Sequence, residues 1–307
     1  MDQNSLLEVL TSVAKVPGSG SDTYVNQGPL IQQPVGDAAF GGSIISQALS
    51  AASATVAPSF CAYSSQASFL RPVKATAKVS YHVDRVADGR AFATRIVRAT
   101  QSDSGPCLYV AIISFQKRGS ALLEEEDAAP RYTIRPPDLG EFGPHNAAQY
   151  DLQQIGFQIS SDELPANMHA ESPFDWRLLP FKPNDDLSQI RAHGFVRFSS
   201  TLNDTAPLPS MALLSDQSLL ELMIFANWSS TSEEIRSLAM STTLTSQVSF
   251  HTPAVKTTTW MICESRTLWG AGGRIATHQQ FWDLETGVLL MSCTQDARLL
   301  QPQLPAL

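Results

Sequence analysis

Apolar residues in the first third of the chain change from helical spacing to strand-like spacing. Residues 41–56, GGSIISQALSAASATV, repeat apolar side chains three or four positions apart, which predicts a helix buried over much of its surface. The stretches 76–86, 90–100 and 107–116 alternate or are apolar throughout. With the turn-like sequences ADG and SDSG between them, they predict three consecutive β-strands.

The same order of elements returns in the last third of the chain. Residues 209–227, PSMALLSDQSLLELMIFAN, predict a second long, mostly apolar helix. Strand-like stretches follow at 257–266, 274–282 and 287–295, separated by the turn sequences GAGG and ETG. The first and the last third of the chain therefore carry the same predicted order of helix and strands.

A short sequence echo marks the same place in both halves. Residues 66–72 read QASFLRP and residues 247–253 read QVSFHTP, with Q-x-S-F-x-x-P in common. Each copy lies between the predicted helix and the next strands, so each predicts the first strand of its unit. The echo and the matched order together indicate an internal duplication. The predicted fold class is α+β, with a long helix followed by about four antiparallel strands in each unit.

The duplication suggests two units and a segment between them. We predict an N-terminal unit over 1–118 and a C-terminal unit over 186–307. The segment 119–185 is rich in proline and charge and shows little periodicity, so we interpret it as a linker that is partly ordered by packing.

Composition excludes several classes of function. The net charge of −8 disfavours nucleic acid as a partner, because phosphate binding needs clustered Lys and Arg. No apolar window approaches the ~18 residues of a membrane span, and the N-terminus lacks a basic signal-like region. We therefore expect a cytoplasmic protein.

Cysteine and histidine patterns give no sign of a metal site. None of the four cysteines belongs to a CxxC pair, and the six histidines are scattered without ligand-like spacing. We expect buried, reduced thiols and no metal.

The motifs of both units, taken in order, resemble the acyl-CoA thioesterase II family. The resemblance covers nearly the whole chain except the middle segment, and it implies a double hotdog fold, in which two fused units each wrap a curved antiparallel sheet around a helix. It is carried by FGGSIISQALSAA (40–52), SFLRP (68–72), DGRAFATRIVRATQ (88–101), ISFQ (113–116), LLSDQSLL (213–220), FHTP (250–253) and TGVLLMSCTQDA (286–297).

The resemblance implies three catalytic residues, all in the C-terminal unit. Matched motif by motif, they are Asp216, Thr243 and Gln295, which in the family position and activate a water that attacks the thioester carbonyl. The chain departs from the family pattern at Thr245 and Ser246, where an Asp-His pair is usual. Tyr63 and Gln66 likewise stand where the family usually has histidines in the first strand of the first unit.

Each of these three residues also has a structural interpretation. Gln295 shares a strand face with apolar Met291 and Cys293, so its amide needs a buried partner, which a backbone group could supply. Asp216 could cap a helix in competition with the neighbouring serines. Thr243 falls by simple alternation on a polar face, and Thr245 replaces it if the register shifts by two residues.

Four further residues are candidates for substrate binding. Gly41 and Gly42 open the first predicted helix, where free N–H groups can meet an oxyanion or a phosphate; the structural alternative, a tight turn with a close helix–sheet contact, is slightly favoured. Thr245 is the substitute for Thr243 described above, and His251, at the end of the same predicted strand, is a candidate to flank the site.

Thioester hydrolysis is the function that these observations favour. We expect acyl-CoA or a related acyl thioester as substrate, with coenzyme A as part of it, and no other cofactor. No GxSxG elbow or Cys–His arrangement indicates a covalent nucleophile. The alternatives are a hotdog dehydratase, hydratase or acyl-transfer enzyme of secondary metabolism, and a non-catalytic acyl carrier or regulator. By analogy we expect a homodimer or larger oligomer. The family allows a peroxisomal location, but the C-terminus QPQLPAL is not a Ser-Lys-Leu type signal.

Overall fold

The elements that the sequence predicts appear in a computed structural model of the chain, which describes residues 5–18, 21–33, 36–102, 105–118, 132–150, 158–160, 164, 172–181, 186–200, 202, 207–238, 241–252, 255–256 and 259–299. The helices are α1 Leu6–Thr11, α2 Gly41–Ser53, α3 Pro207–Ser215, α4 Leu219–Ala226 and α5 Glu233–Leu238, with 3₁₀ turns at Leu187–Gln189 and Trp228–Ser230. The strands are β1 Val13–Lys15, β2 Thr23–Asn26, β3 Ile31–Gln32, β4 Phe60–Phe69, β5 Ser80–Asp88, β6 Phe92–Thr100, β7 Tyr109–Lys117, β8 Ala148–Tyr150, β9 Gln158–Ile159, β10 Phe174–Leu178, β11 Arg191–Phe198, β12 Ser241–Phe250, β13 Met261–Ala271, β14 Arg274–Asp283 and β15 Leu289–Leu299.

One antiparallel sheet runs through the described part of both units. Its order is β1-β2-β5-β6-β7-β4-β12-β15-β14-β13-β11-β10-β8. On either side of the junction between β4 and β12 the order is the same: β4-β7-β6-β5-β2 in the first unit and β12-β15-β14-β13-β11 in the second. This symmetry agrees with the predicted duplication.

The echoed sequence forms the junction between the units. Strands β4 and β12 pair antiparallel, with Gln66 directly opposite Gln247 and with Ser68 and Ser64 opposite Thr245 and Ser249. An approximate two-fold axis therefore passes between the two glutamines. The two strands that carry the motif thus join the units edge to edge at the centre of the sheet.

The core lies between the helices and one face of the sheet, called the inner face below. Ile44, Ile45, Ala48 and Leu49 of α2 are fully or almost fully buried, and α2 packs against β4, β5, β6 and β7 as well as against α3. The opposite, outer face carries the more exposed residues of the alternating strands. The expected α+β class, with one helix covered by four strands, is confirmed for the first unit.

The second predicted helix is not one helix. The expectation of a single helix over 209–227 was wrong, because the structure has α3 ending at Ser215 and α4 beginning at Leu219. Ser218 caps α4, since its Oγ accepts a hydrogen bond from the Glu221 N–H at 3.4 Å. The continuous apolar stripe of the sequence gave no sign of this break, which lies at Asp216.

The segment 119–185 contributes more structure than a linker. Within it, β10 pairs with β11 and β8 pairs with β10, so both extend the sheet past the second unit. The side chains of Phe174, Trp176 and Leu178 in β10 are buried. Residues 119–131 of this segment, the C-terminal residues 300–307 and Pro253 of the second echo lie outside the described residues.

No helix within the described ranges is long and apolar enough to cross a membrane.

Candidate active site

Asp216 lies in the three-residue break between α3 and α4. Its side chain is 7% exposed, in the layer between the helices and the inner face of the sheet. The next residue, Gln217, is anchored because its Oε1 accepts a hydrogen bond from the Trp176 indole N–H at 2.6 Å. Since Ser218 caps α4, capping does not explain Asp216.

Thr243 faces Asp216 because β12 contains a β-bulge. Thr243 lies opposite Ala297 of β15, whereas Thr245 lies opposite Asp296, so Leu244 is the extra residue. The bulge reverses the alternation that had assigned Thr243 to the polar face. The Thr243 hydroxyl donates to Asp216 Oδ1 at 3.1 Å.

Gln295 reaches the same carboxylate oxygen from β15. It is buried on the inner face beside Met291 and Cys293, as the alternation of the strand predicts. Its Nε2 donates to Asp216 Oδ1 at 2.5 Å. The amide therefore pairs with the carboxylate, in place of the backbone partner considered as its structural interpretation.

The two glycines at the start of α2 bring the first unit against Asp216. A Cβ on Gly41 would lie 2.6 Å from Asp216 Oδ2, and a Cβ on Gly42 would lie 2.5 Å from the Leu213 carbonyl oxygen. Only glycine permits this approach of α2 to α3. The Gly42 N–H donates a hydrogen bond to the Asp216 carboxylate, so this N–H is used by the protein itself.

Burial dominates the electrostatics of the carboxylate. It raises the pKa of Asp216 from the ordinary 3.8 to about 6, against the lowering effect of the hydrogen bonds from Thr243, the Gly42 N–H and Gln295. At neutral pH the group is ionised, yet its pKa is close enough to 7 for it to accept a proton from a water molecule.

Two of the predicted substrate-binding residues lie elsewhere. Thr245 is exposed on the outer face, where its hydroxyl donates to Asp296 Oδ2 at 2.9 Å. His251 is also exposed, and its Nε2 lies 2.9 Å from the hydroxyl oxygen of Ser292, another outer-face residue. The structure brings Asp216, Thr243, Gln295 and Gly41–Gly42 together, but neither Thr245 nor His251.

Two inner-face residues near the site were not predicted from the sequence as functional residues. The hydroxyl of Tyr109 in β7 is fully buried and has no hydrogen-bond partner among the described residues. Burial, and secondarily the charge of Asp216, raises the pKa of this hydroxyl. Gln279 in β14 is buried below the break between α3 and α4 and contacts the backbone on both sides of it.

No group of three or more His, Cys, Asp or Glu residues suitable for a metal ion occurs within the part of the chain that the structure describes. Its four cysteines are unpaired, with Cys263 and Cys293 buried and Cys61 and Cys107 half-buried.

Comparisons with known proteins agree with this architecture. The sequence profile of the acyl-CoA thioesterase N-terminal domain matches residues 31–116, and that of the acyl-CoA thioesterase C-terminal domain matches residues 151–299. Mouse acyl-coenzyme A thioesterase 8 is 25% identical over 315 residues, which covers 96% of this chain and 90% of the mouse protein.

Solved structures share the fold over the whole length. An acyl-CoA thioesterase II from Mycobacterium marinum superposes with a TM-score of 0.70 at 19% identity, covering 99% of this chain and 100% of the other. A hot dog fold protein from Alicyclobacillus acidocaldarius gives a TM-score of 0.68 at 15% identity, with coverage of 98% and 100%. The expected double hotdog fold is thereby confirmed. With both family profiles matched in order along the chain, the protein belongs to the acyl-CoA thioesterase II family.

Proposed function

We propose that the protein hydrolyses acyl-CoA thioesters, with a water molecule activated by Asp216 and oriented by Thr243 and Gln295. The observation that carries this proposal is the buried carboxylate of Asp216, whose pKa is raised to about 6 and whose Oδ1 accepts hydrogen bonds from both other side chains. Family membership supports the reaction, and this arrangement supports the assignment of residues.

The hydrogen bonds leave acceptor sites for a water molecule. Thr243 and Gln295 each donate to Asp216, so the hydroxyl oxygen of Thr243 and Oε1 of Gln295 remain able to accept. A water molecule that donates one hydrogen bond to the carboxylate and the other to one of these two acceptors keeps its lone pairs free to attack. Thr243 and Gln295 thus act on the carboxylate directly as well as on the water.

The proposed reaction needs no covalent enzyme intermediate. Asp216 takes one proton from water as the water oxygen forms a bond to the thioester carbonyl carbon. The tetrahedral intermediate then collapses, the C–S bond breaks and its electron pair leaves with sulfur. The proton on Asp216 passes to the thiolate, which gives a carboxylic acid, coenzyme A and the original carboxylate.

Dehydration or hydration is less compatible with these contacts. Such chemistry needs the acid to be paired with a second proton-transfer group such as a histidine. Among the described residues, the hydrogen-bond partners of Asp216 are Thr243, Gln295 and the Gly42 N–H. His251, the first histidine after Asp216 in the chain, is directed to the outer face.

The test is thiol release from a panel of acyl-CoAs of increasing chain length, followed with a thiol reagent. We expect release from at least one chain-length class, and loss of it in Asp216→Asn. Enoyl-CoA and 3-hydroxyacyl-CoA are included and their interconversion is followed by chromatography. Interconversion without thiol release from any member would contradict the proposal and support the dehydratase alternative.

A further inference from the structure

The break beside Asp216 is bridged by a side chain from the sheet. In an uninterrupted α-helix the N–H of residue 219 would donate to the carbonyl of residue 215, four positions earlier. In the structure, the Leu219 N–H donates to Oε1 of Gln279 at 2.9 Å. Nε2 of the same amide donates to the Ser215 carbonyl oxygen at 3.3 Å.

The Gln279 amide thus replaces one helical hydrogen bond by two. A side chain that inserts into the ladder of i to i−4 bonds is a recognised cause of helix breaks. Gln279 is 1% exposed, so its amide is held in place by the surrounding core. The Ser215 carbonyl also accepts a bond from the Cys293 thiol at 3.4 Å, which supports the open end of α3.

We propose that Gln279 is a positioning residue, whose amide holds the helix open at the turn that directs the Asp216 carboxylate toward Thr243 and Gln295. Asp216 lies between the two backbone groups that Gln279 bridges, so closing the helix would move it. The expected effect of Gln279 on turnover rests on the proposed function of Asp216.

The first unit supplies an internal comparison. Counting along paired strands, Gln279 lies opposite Cys293 in β14 and β15, and Val97 lies opposite Ala111 at the matching place in β6 and β7. The helix that packs on β6 is α2, which is continuous from Gly41 to Ser53. The broken helix α3–α4 thus has the polar Gln279 beneath its break, whereas the unbroken helix α2 has the apolar Val97 at the matching position.

The test is the variant Gln279→Met, which keeps the length of the side chain and removes both hydrogen bonds. We expect its crystal structure to show the Leu219 N–H donating to the Ser215 carbonyl, with Asp216 withdrawn from Gln295. We expect kcat to fall by about 10²-fold with KM little changed, as for small misplacements of a reacting group. Because the bonds from Thr243 and Gln295 lower the pKa of Asp216, the acid limb of the pH–rate profile should move to higher pH.

The matched control is Gln47→Met in the first unit. Gln47 is also fully buried and also makes two bonds, to the Leu10 carbonyl at 2.8 Å and from the Tyr81 hydroxyl at 2.7 Å. Both variants should lose comparable thermal stability, but only Gln279→Met should change kcat and the pH profile.

The outcomes separate this inference from the proposed function. An open helix with the Asp216–Gln295 bond intact in Gln279→Met would overturn the positioning role, whatever the activity. A closed helix with unchanged turnover would support the positioning role and overturn the part of Asp216 in the reaction. Equal losses of kcat in the Gln279 and Gln47 variants would reduce Gln279 to a general stabilising residue.

Discussion

The two units share a scaffold but differ at the positions that surround Asp216. The two strands that meet at the junction of the units, β4 and β12, carry a β-bulge at the same place. It lies between Ala62 and Ser64 in β4 and between Thr243 and Thr245 in β12. Following the paired strands from these bulges, three residues of the second unit have apolar counterparts in the first. Thr243, Gln295 and Gln279 correspond to Ala62, Ile113 and Val97.

This difference shows that the bulge belongs to the scaffold and the polar cluster does not. The first unit keeps the bulge and an unbroken helix, and it has apolar side chains at the three positions that correspond to Thr243, Gln295 and Gln279. The second unit places a buried carboxylate, a half-buried hydroxyl and two buried amides in the same layer, which is costly unless each finds a partner. The first unit also supplies one of those partners, the Gly42 N–H. The cluster is therefore built on one unit and completed by the other.

The largest expected effect is the loss of the carboxylate from the second unit. Asp216→Asn keeps the size of the side chain and removes the proton acceptor, so thiol release should fall by about 10³-fold, within the range of general-base catalysis. The matched control is Asp296→Asn on the outer face, whose carboxylate also accepts from a threonine. Thiol release from an acyl-CoA measures both variants. Equal effects of the two changes would remove the distinction between the inner and outer carboxylates.

The same substitution should stabilise the fold at neutral pH. The pKa of Asp216 is about 6 in the folded protein against an ordinary 3.8, so the folded state binds more protons between these values. Stability of the wild type therefore falls as pH rises from about 4 to about 6, by roughly 1.4 kcal/mol for each unit of pKa difference. Urea unfolding should show an advantage of Asp216→Asn that is larger at pH 8 than at pH 4. A pH-independent difference would contradict the raised pKa.

Gln295 and its counterpart Ile113 in the first unit offer a pair of variants that should separate activity from stability. Gln295→Leu should lower turnover by about 10²-fold, comparable to the loss of one well-placed hydrogen-bond donor. Ile113→Gln replaces a fully buried apolar side chain of the first unit by an amide and should lower the free energy of unfolding by ~1–3 kcal/mol, with turnover unchanged. Thiol release and urea unfolding measure the pair. A loss of turnover in Ile113→Gln without a loss of stability would show that the first unit has its own role in the reaction.

The duplicated scaffold could be predicted from the sequence, and the family resemblance names Asp216, Thr243 and Gln295 together, but residue spacing alone does not give the contacts between them. The periodicities of the helices and strands and the echo at Gln66 and Gln247 predict the duplicated scaffold, because they reflect burial on one face. The strand pairing also shows that Gln116 and Gln295, which end the predicted strands 107–116 and 287–295, are not counterparts. Gln116 lies opposite Cys61, whereas the true counterpart of Gln295 is Ile113.

The contacts that escaped prediction depend on single-residue irregularities. A bulge at Leu244 reverses the face of Thr243, and alternation alone cannot contain that information. The helix break at Asp216 depends on Gln279, which is 60 residues from Leu219 in sequence. The strands of the middle segment escaped because their flanks are rich in proline and charge, although Phe174, Trp176 and Leu178 of β10 alternate with polar residues.

The pH dependence of kcat/KM should reflect the ionisation of a single group of the second unit, the carboxylate of Asp216. The other members of the cluster, Thr243, Gln295 and the Gly42 N–H, do not titrate near neutrality. With the pKa of Asp216 at about 6, kcat/KM should fall about tenfold for each unit of pH below that value. Initial rates across pH 4.5–8 measure this limb, and Asp296→Asn serves as the control that leaves it in place. A flat profile below pH 6 would contradict Asp216 as the base.

The smallest expected effect tests the bulge itself. Thr243→Ala removes one hydrogen bond to Asp216, so turnover should fall by about fivefold, the equivalent of ~1 kcal/mol, and Thr243→Ser should restore most of it. Thr245→Ala removes a bond of similar length on the outer face, 2.9 Å to Asp296 against 3.1 Å to Asp216, and should leave turnover unchanged. The two threonines are two residues apart on one strand, so regular alternation would give them one face and one effect. A larger loss in Thr245→Ala than in Thr243→Ala would therefore reverse the assignment of faces and place the functional hydroxyl at Thr245.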